Sequence, residues 1–214
     1  MSLSAADLAC RRGGRLLFSG IDFTVLAGRA LVVTGANGAG KSSLLALLRG
    51  SLKPAAGRVV LDGAGERTVA EASHFIGHEN ALKGMLTASE NLAFARDVLT
   101  GGVCGKAGMS TDEGLAKLGV AHLSRLPVAY LSAGQKRRVE LARLFVAVRP
   151  IWLLDEPTAG LDAASVGLFR QLMRDHLAIG GLIIAATHQP FGLAGEQILR
   201  IEDCAATADD PEAW

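Results

Sequence analysis

The stretch Gly35-Ala36-Asn37-Gly38-Ala39-Gly40-Lys41-Ser42 constrains this chain more than any other. An apolar run, Leu31–Thr34, leads into it and a helix-compatible run, Ser43–Arg49, leads out, so its glycines stand at a strand-to-helix turn. Glycine adopts backbone that other residues avoid, which lets such a loop curl and aim successive N–H groups at an anion, and the following helix N-terminus adds partial positive charge. Lys41 is then placed to neutralise the β- and γ-phosphates of a nucleotide. Ser42 can offer its hydroxyl to Mg²⁺, and Ser43 can meet a phosphate one position further on. The pattern occurs in many phosphate-loop enzymes and does not choose among them.

With 214 residues the chain has room for one large domain with an inserted lobe, and not for two independent enzymes. Half its residues are apolar, yet no run approaches the ~20 apolar residues of a membrane helix. The start, Met1 to Leu8, lacks a basic leader followed by an apolar stretch, so a cytosolic protein is expected. Cys10, Cys104 and Cys204 are far apart, with no CxxC pair, which suits buried or incidental thiols rather than a redox or metal role. A net charge of +1 argues against a dedicated nucleic-acid binder, and none is expected as a partner.

Short β-like runs at Leu3–Cys10, Ile21–Leu26 and Arg29–Thr34, with Gly13-Gly14 and Ala27-Gly28 between them, predict an antiparallel element feeding a strand. Later runs, Arg58–Leu61, Ile151–Asp155, Leu182–Thr187 and Gln197–Ile201, alternate with helical patterns in the manner of a parallel sheet. Between about Ala81 and Tyr130 the pattern turns helical at Ser89–Leu99 and Thr111–Leu118, broken by the Gly-rich segment Gly101–Gly108. The chain thus reads as one α/β domain over 1–204, with a mixed-sheet core and an inserted helical lobe at about 81–148. Residues 205–214, which carry Asp209, Asp210 and Glu212 without periodicity, read as a frayed tail.

Ile151-Trp152-Leu153-Leu154-Asp155-Glu156 is an apolar strand ending in two carboxylates, which puts both at the carboxyl edge of the sheet beside the phosphate loop. Asp155 is placed to hold Mg²⁺ and Glu156 to polarise the water that attacks the γ-phosphate. Adjacent acids after a strand are otherwise often a solvated turn. Leu131-Ser132-Ala133-Gly134-Gln135 opens a helical pattern from Lys136 to Ala147, and alone it would be an ordinary helix start capped by Ser132. The basic run Lys136-Arg137-Arg138 reads as a solvated helix face.

Taken in order, these segments resemble the ABC ATPases. Leu131–Gln135 is similar to that family's signature, with Ala133 in place of the first glycine of the usual pair. Pro157 to Asp162 resembles the loop linking the two nucleotide sites of a dimer, and His188 after Leu182–Thr187 resembles the switch histidine that contacts the γ-phosphate. The resemblance spans Leu3 to about Ile201 and implies a P-loop NTPase of ABC ATPase type that binds ATP and Mg²⁺. It implies a head-to-tail dimer, expected to be of identical chains, in which the signature of one subunit caps the nucleotide of the other. It also implies an integral membrane transporter subunit as partner, and so a peripheral position on the cytoplasmic face of the inner membrane.

Within this group the phrases Phe75–Leu92, Ala129–Arg138, Arg149–Ser165 and Gly180–Pro190 are most similar to the ATP-binding subunits of the haem-exporter family of cytochrome c maturation. No CxxCH is present and His74 and His78 lack a third ligand, so a haem role is what the resemblance implies and nothing more. His78 falls where most of these proteins have a glutamine that touches Mg²⁺ and the transporter, and Arg12 falls where an aromatic stacks on adenine. An imidazole is a poor Mg²⁺ ligand beside an oxygen, so His78 is expected to couple the site to the transporter, together with Leu82 and Met85. A guanidinium can stack on a base, with loose selectivity. The rival reading is a soluble ABC-type ATPase serving as an assembly or scaffold factor without transport.

Overall fold

The structure is a computed structural model that describes residues 1–101 and 106–204; Cys104, part of the expected Gly-rich break and the expected tail at 205–214 lie outside the described residues. The chain opens with an antiparallel pair, β1 (Ser2–Arg12) and β2 (Arg15–Leu26), in which Arg12 faces Arg15. Gly13 and Gly14 join them with φ of 58° and 82°, and a two-residue turn with two positive φ values matches the right-handed twist of paired strands. β3 (Ala30–Thr34), the phosphate loop and α1 (Lys41–Arg49) follow, and then β4 (Ala56–Asp62). β4 pairs antiparallel with β1, giving the order β2-β1-β4, so Arg58–Leu61 does not join the parallel sheet with which its spacing grouped it.

The next elements are α2 (Val69–Ala72), β5 (Ser73–Ile76), α3 (Ala88–Thr100), β6 (Lys106–Ala107), α4 (Thr111–Lys117) and α5 (Ala133–Val146). β7 (Ala147–Val148), β8 (Ile151–Asp155), α6 (Ala163–Ala178), β9 (Leu182–Ala186) and β10 (Gln197–Arg200) complete the order. The parallel sheet runs β10-β3-β9-β8-β5. Its edge strand β5 was not foreseen, because four residues, two of them Ser73 and His74, carry too little pattern to stand out. β8 and β9 are buried along their whole length, as strands covered on both faces must be.

Alternation sends Val32, Trp152, Leu154, Ile183 and Ala185 to the face covered by α5, α6 and the helical lobe. Leu31, Val33, Leu153 and Ile184 face α1 and the antiparallel sheet. Each such fully buried Leu or Ile stabilises the fold by about 2 kcal/mol. Leu153→Ala at the centre of β8 would cost about 2 to 5 kcal/mol, because it leaves a cavity between two layers.

The helix starts differ in a way that bears on the site. Thr68, Thr87, Ser110 and Ser132 each close a capping box with the residue three positions on, so α2, α3, α4 and α5 have their first N–H groups satisfied internally. α1 begins at Gly40 with no side-chain cap, leaving its first N–H groups directed at the loop. α5 also starts at Ala133, three residues before the helical run expected from Lys136.

Candidate active site

The carboxyl ends of β3, β8 and β9 meet beneath a cavity of about 550 Å³. Such a crevice outside the strand ends is where open α/β sheets bind ligands. The phosphate loop forms one wall through Ala36, Asn37, Gly38, Gly40, Lys41, Ser42 and Ser43. Gly35 and Ala39, also expected at the ligand, do not line the cavity: a Cβ on Gly35 would lie 2.7 Å from Ile201, and the Ala39 methyl packs on the core. Gly38 and Gly40 hold φ of 82° and 104°, conformations that strain any other residue. The Lys41 ammonium, nearly buried, donates to the carbonyls of Gly35 (2.7 Å) and Ala36 (3.1 Å), which fixes it over the loop.

Asp155 and Glu156 close the opposite wall. Ser42 and the nearly buried Asp155 line the same cavity. A hydroxyl and one carboxylate form a donor set that suits Mg²⁺, which binds through one or two carboxylates and takes further oxygens from phosphates and water. Among the described residues no cluster of three His, Cys, Asp or Glu gathers, so the donor chemistry does not suit a metal held wholly by protein side chains. Glu156 adopts φ 45°, a left-handed conformation that a glutamate enters only under constraint. Its N–H donates to Ala186 O at 2.9 Å, which ties the turn after β8 to the end of β9. There His188 brings its Nε2 to 3.4 Å from Glu156 Oε1.

Arg137 supplies the rest of that constraint. It is 3% exposed, and it donates to the carbonyls of Asp155, Glu156, Pro157 and Gly77 and to Asn80 Oδ1, at 2.8 to 3.2 Å. The reading of Lys136-Arg137-Arg138 as a solvated face therefore fails at its middle residue. A guanidinium with five donors in one plane can gather backbone carbonyls from two loops, and burial of the charge pushes its pKa down. The only sequence signal was its position five residues after Ser132, three, four and seven residues before the buried Glu140, Leu141 and Leu144 and so on their face of α5.

At the outer end of the cavity Arg12 presents an exposed guanidinium from the end of β1, and Leu17 of β2 lies beside it. Leu17 was not foreseen. The pair offers a stacking group and an apolar surface of the kind a nucleobase takes. His78, in the loop after β5, also lines the cavity. Glu202, in the 3-10 turn Ile201–Cys204, accepts a hydrogen bond from the N–H of Ala36 and braces the loop from outside; nothing in the sequence marked it.

Other expected site residues lie elsewhere. Leu131 is buried in the helical-lobe core, while Ser132 and Ala133 are exposed and, with Gly134 and Gln135, stand outside the cavity of their own chain. Ser132 Oγ accepts from Gln135 N–H at 3.3 Å, so the expected cap is formed. A Cβ on Gly134 would come within 3.0 Å of Gly160 O, which sets how closely the start of α5 approaches the loop after β8. Asp162 caps α6 by accepting from Ser165 N–H at 2.7 Å, and that hydrogen bond holds its carboxyl below the usual range. Leu82 is half-buried against the helical-lobe core, whereas Met85 is 89% exposed.

A phosphate loop, a paired acid turn and a histidine on three adjacent strand ends, with an antiparallel sheet on one side and a helical lobe on the other, define an ATP-binding subunit of the ABC class. The family described as ABC transporter matches residues 18–159. The cytochrome c biogenesis ATP-binding export protein CcmA of Rhodopseudomonas palustris (strain HaA2) is 51% identical over 201 residues, covering 92% of this chain and 97% of its own. The protein of the same description from Agrobacterium fabrum (strain C58) is 46% identical over 217 residues, with all of both chains covered. Among solved structures, a putative ABC transporter ATP-binding protein from Pyrococcus furiosus superposes with a TM-score of 0.82 at 19% identity, covering 96% of this chain and 100% of that one. The chain belongs to the ABC transporter family, among the ATP-binding proteins of CcmA type.

Proposed function

We propose that this chain hydrolyses Mg²⁺-bound ATP as the energy-coupling subunit of an exporter serving cytochrome c biogenesis, held peripherally at the cytoplasmic face of the inner membrane by an integral membrane subunit. The supporting observation is that the phosphate loop, Asp155, Glu156 and His188 line one cavity. The pathway rests on relatives about 50% identical over nearly the whole chain that are cytochrome c biogenesis ATP-binding export proteins. No helix among the described residues is long and apolar enough to cross a membrane. Recognition of the exported species, haem on the resemblance, is assigned to the membrane subunit.

In this mechanism Lys41 and the uncapped N–H groups at the start of α1 take the β- and γ-phosphates. Ser42 and Asp155 hold Mg²⁺, which when bound neutralises charge on the transferring phosphoryl group. Glu156 orients the attacking water and draws off its proton, while His188 Nε2 meets the γ-phosphate from the neighbouring strand end. Ser132 and Ala133 are exposed and stand away from their own cavity, which suits a head-to-tail dimer in which they reach the partner's γ-phosphate. His78 and Met85 carry the state of the site toward the membrane subunit.

Glu156→Gln protein, which should bind ATP without turning it over, is the reagent for the test. With ATP and Mg²⁺ the purified variant should elute from size exclusion as a dimer and return to monomer with ADP. A chain that remained monomeric with ATP bound would overturn the dimer mechanism.

A further inference from the structure

A second cavity, of about 720 Å³, lies at the opposite end of β8 from Asp155 and plays no part in the nucleotide chemistry above. Its floor is aromatic. The Trp152 ring stacks on His176 with centroids 3.9 Å apart and planes 11° from parallel, and Phe145 meets Trp152 edge-on at 5.8 Å. Gly181 makes this stack possible, because a Cβ there would come within 2.3 Å of His176 Nε2. Leu144 and Leu172 extend the apolar lining.

The rim has two features that a closed core edge would not keep. Ile179 is 85% exposed and Val148 52%, and both line the opening, so apolar surface is left in water around a concavity that continues into buried aromatic rings. Charge is one-sided as well. Arg67, Lys106, Lys117 and Arg149 line the cavity against one carboxylate, Asp175, whose Oδ1 already accepts from Gln171 Nε2 at 2.8 Å. Arg67 and Arg149 also donate to backbone carbonyls, but Lys106 and Lys117 stand at the exposed margin. Size, apolar floor and a few convergent polar groups are the features of a small-molecule site.

We infer that this cavity binds a small amphipathic anion, an aromatic body carrying a carboxylate or sulfonate, with its ring against Phe145, Val148 and Ile179 over the buried Trp152–His176 stack and its charge toward Lys106 and Lys117. The rim cations favour this occupant over a neutral apolar molecule.

The probe is 8-anilinonaphthalene-1-sulfonate, with the uncharged N-phenyl-1-naphthylamine for comparison, titrated by fluorescence into the full-length native protein saturated with MgADP. One saturable site is expected, with the anion held more tightly than the neutral probe. Lys106→Glu/Lys117→Glu should weaken the anion about tenfold or more and leave the neutral probe within about twofold, the scale of reversing two exposed charges. Ile179→Asp, at a position too exposed to threaten folding, should weaken both probes. The inference is overturned if no saturable sulfonate site remains with MgADP bound, if the double charge reversal leaves the sulfonate's affinity unchanged, or if Ile179→Asp binds both probes like the parent.

Discussion

His188 Nε2 lies 3.4 Å from Glu156 Oε1, across the ends of two neighbouring parallel strands. Glu156 follows β8 directly and His188 stands two residues beyond β9, so these two strands set the spacing between the proposed water-polarising carboxylate and the proposed γ-phosphate contact. Glu156→Gln should keep ATP binding and lower turnover by roughly a hundredfold or more, the scale of removing a general base. His188→Ala should lower kcat with Glu156 still in place, whereas Lys41→Ala should lose nucleotide binding itself. Equilibrium binding of a fluorescent ATP analogue, beside phosphate release, separates these phenotypes, and parent-rate hydrolysis by Glu156→Gln would remove that carboxylate from the mechanism.

Arg137 holds the backbone on which Glu156 stands. Arg137→Met removes five hydrogen bonds, four of them to carbonyls of residues 77 and 155–157, of which Glu156 O keeps the N–H of Ala159, so unfolding free energy should fall by about 3 kcal/mol or more. Arg137→Lys should recover little, since an ammonium cannot span the same fork. Urea denaturation measures the stability. ATPase activity under conditions where the variants stay folded tests whether the strained φ of Glu156 depends on the clamp.

Leu82 and Met85 should separate cleanly. Met85→Ser, at a position open to solvent, should leave Tm within error and weaken association with the membrane subunit. Leu82→Ser should lower stability by about 1 to 2 kcal/mol, because its side chain packs on the helical-lobe core. Membrane flotation beside thermal melts gives both numbers, and unchanged flotation of Met85→Ser would move the docking surface elsewhere.

Acid should destabilise the fold through two buried histidines. Burial pushes the His74 imidazole down to about 3, against the raising effect of its hydrogen bond to Ala147 O, and pushes His176 down to about 4, against that to Pro150 O. Both are neutral when folded, while the unfolded chain takes up their protons near the ordinary histidine value of about 6.5. The unfolded state therefore binds more protons below that pH, and stability falls on acidification from pH 6.5 toward pH 4. The slope approaches about 1.4 kcal/mol per pH unit for each histidine. Glu71, Glu90, Glu113 and Asp162, held low by their helix caps, act with the same sign at lower pH. His176→Phe, which keeps a ring against Trp152, should roughly halve the slope between pH 6 and 5, and an unchanged slope would exclude His176 as a source.

What the sequence determined by itself was local. A strand, a glycine loop and a helix contiguous in the chain must place Lys41 and Ser42 together, and an apolar strand ending in acids must deliver Asp155 and Glu156 to the same sheet edge. The Gly13-Gly14 turn likewise fixed its hairpin, because those two residues alone adopt the backbone it needs without strain. Only the tertiary structure decided what depends on distant residues. Arg137 reaches Gly77 across 60 positions and Glu202 reaches Ala36 across 166, and neither contact leaves a periodic trace. β4 went to the antiparallel sheet because β1 offered it a partner, a choice that its own side chains do not encode. The separation of Ser132 from its own cavity belongs to the same class, since where a helix start points is set by the packing of α5 on α3, α4 and the sheet.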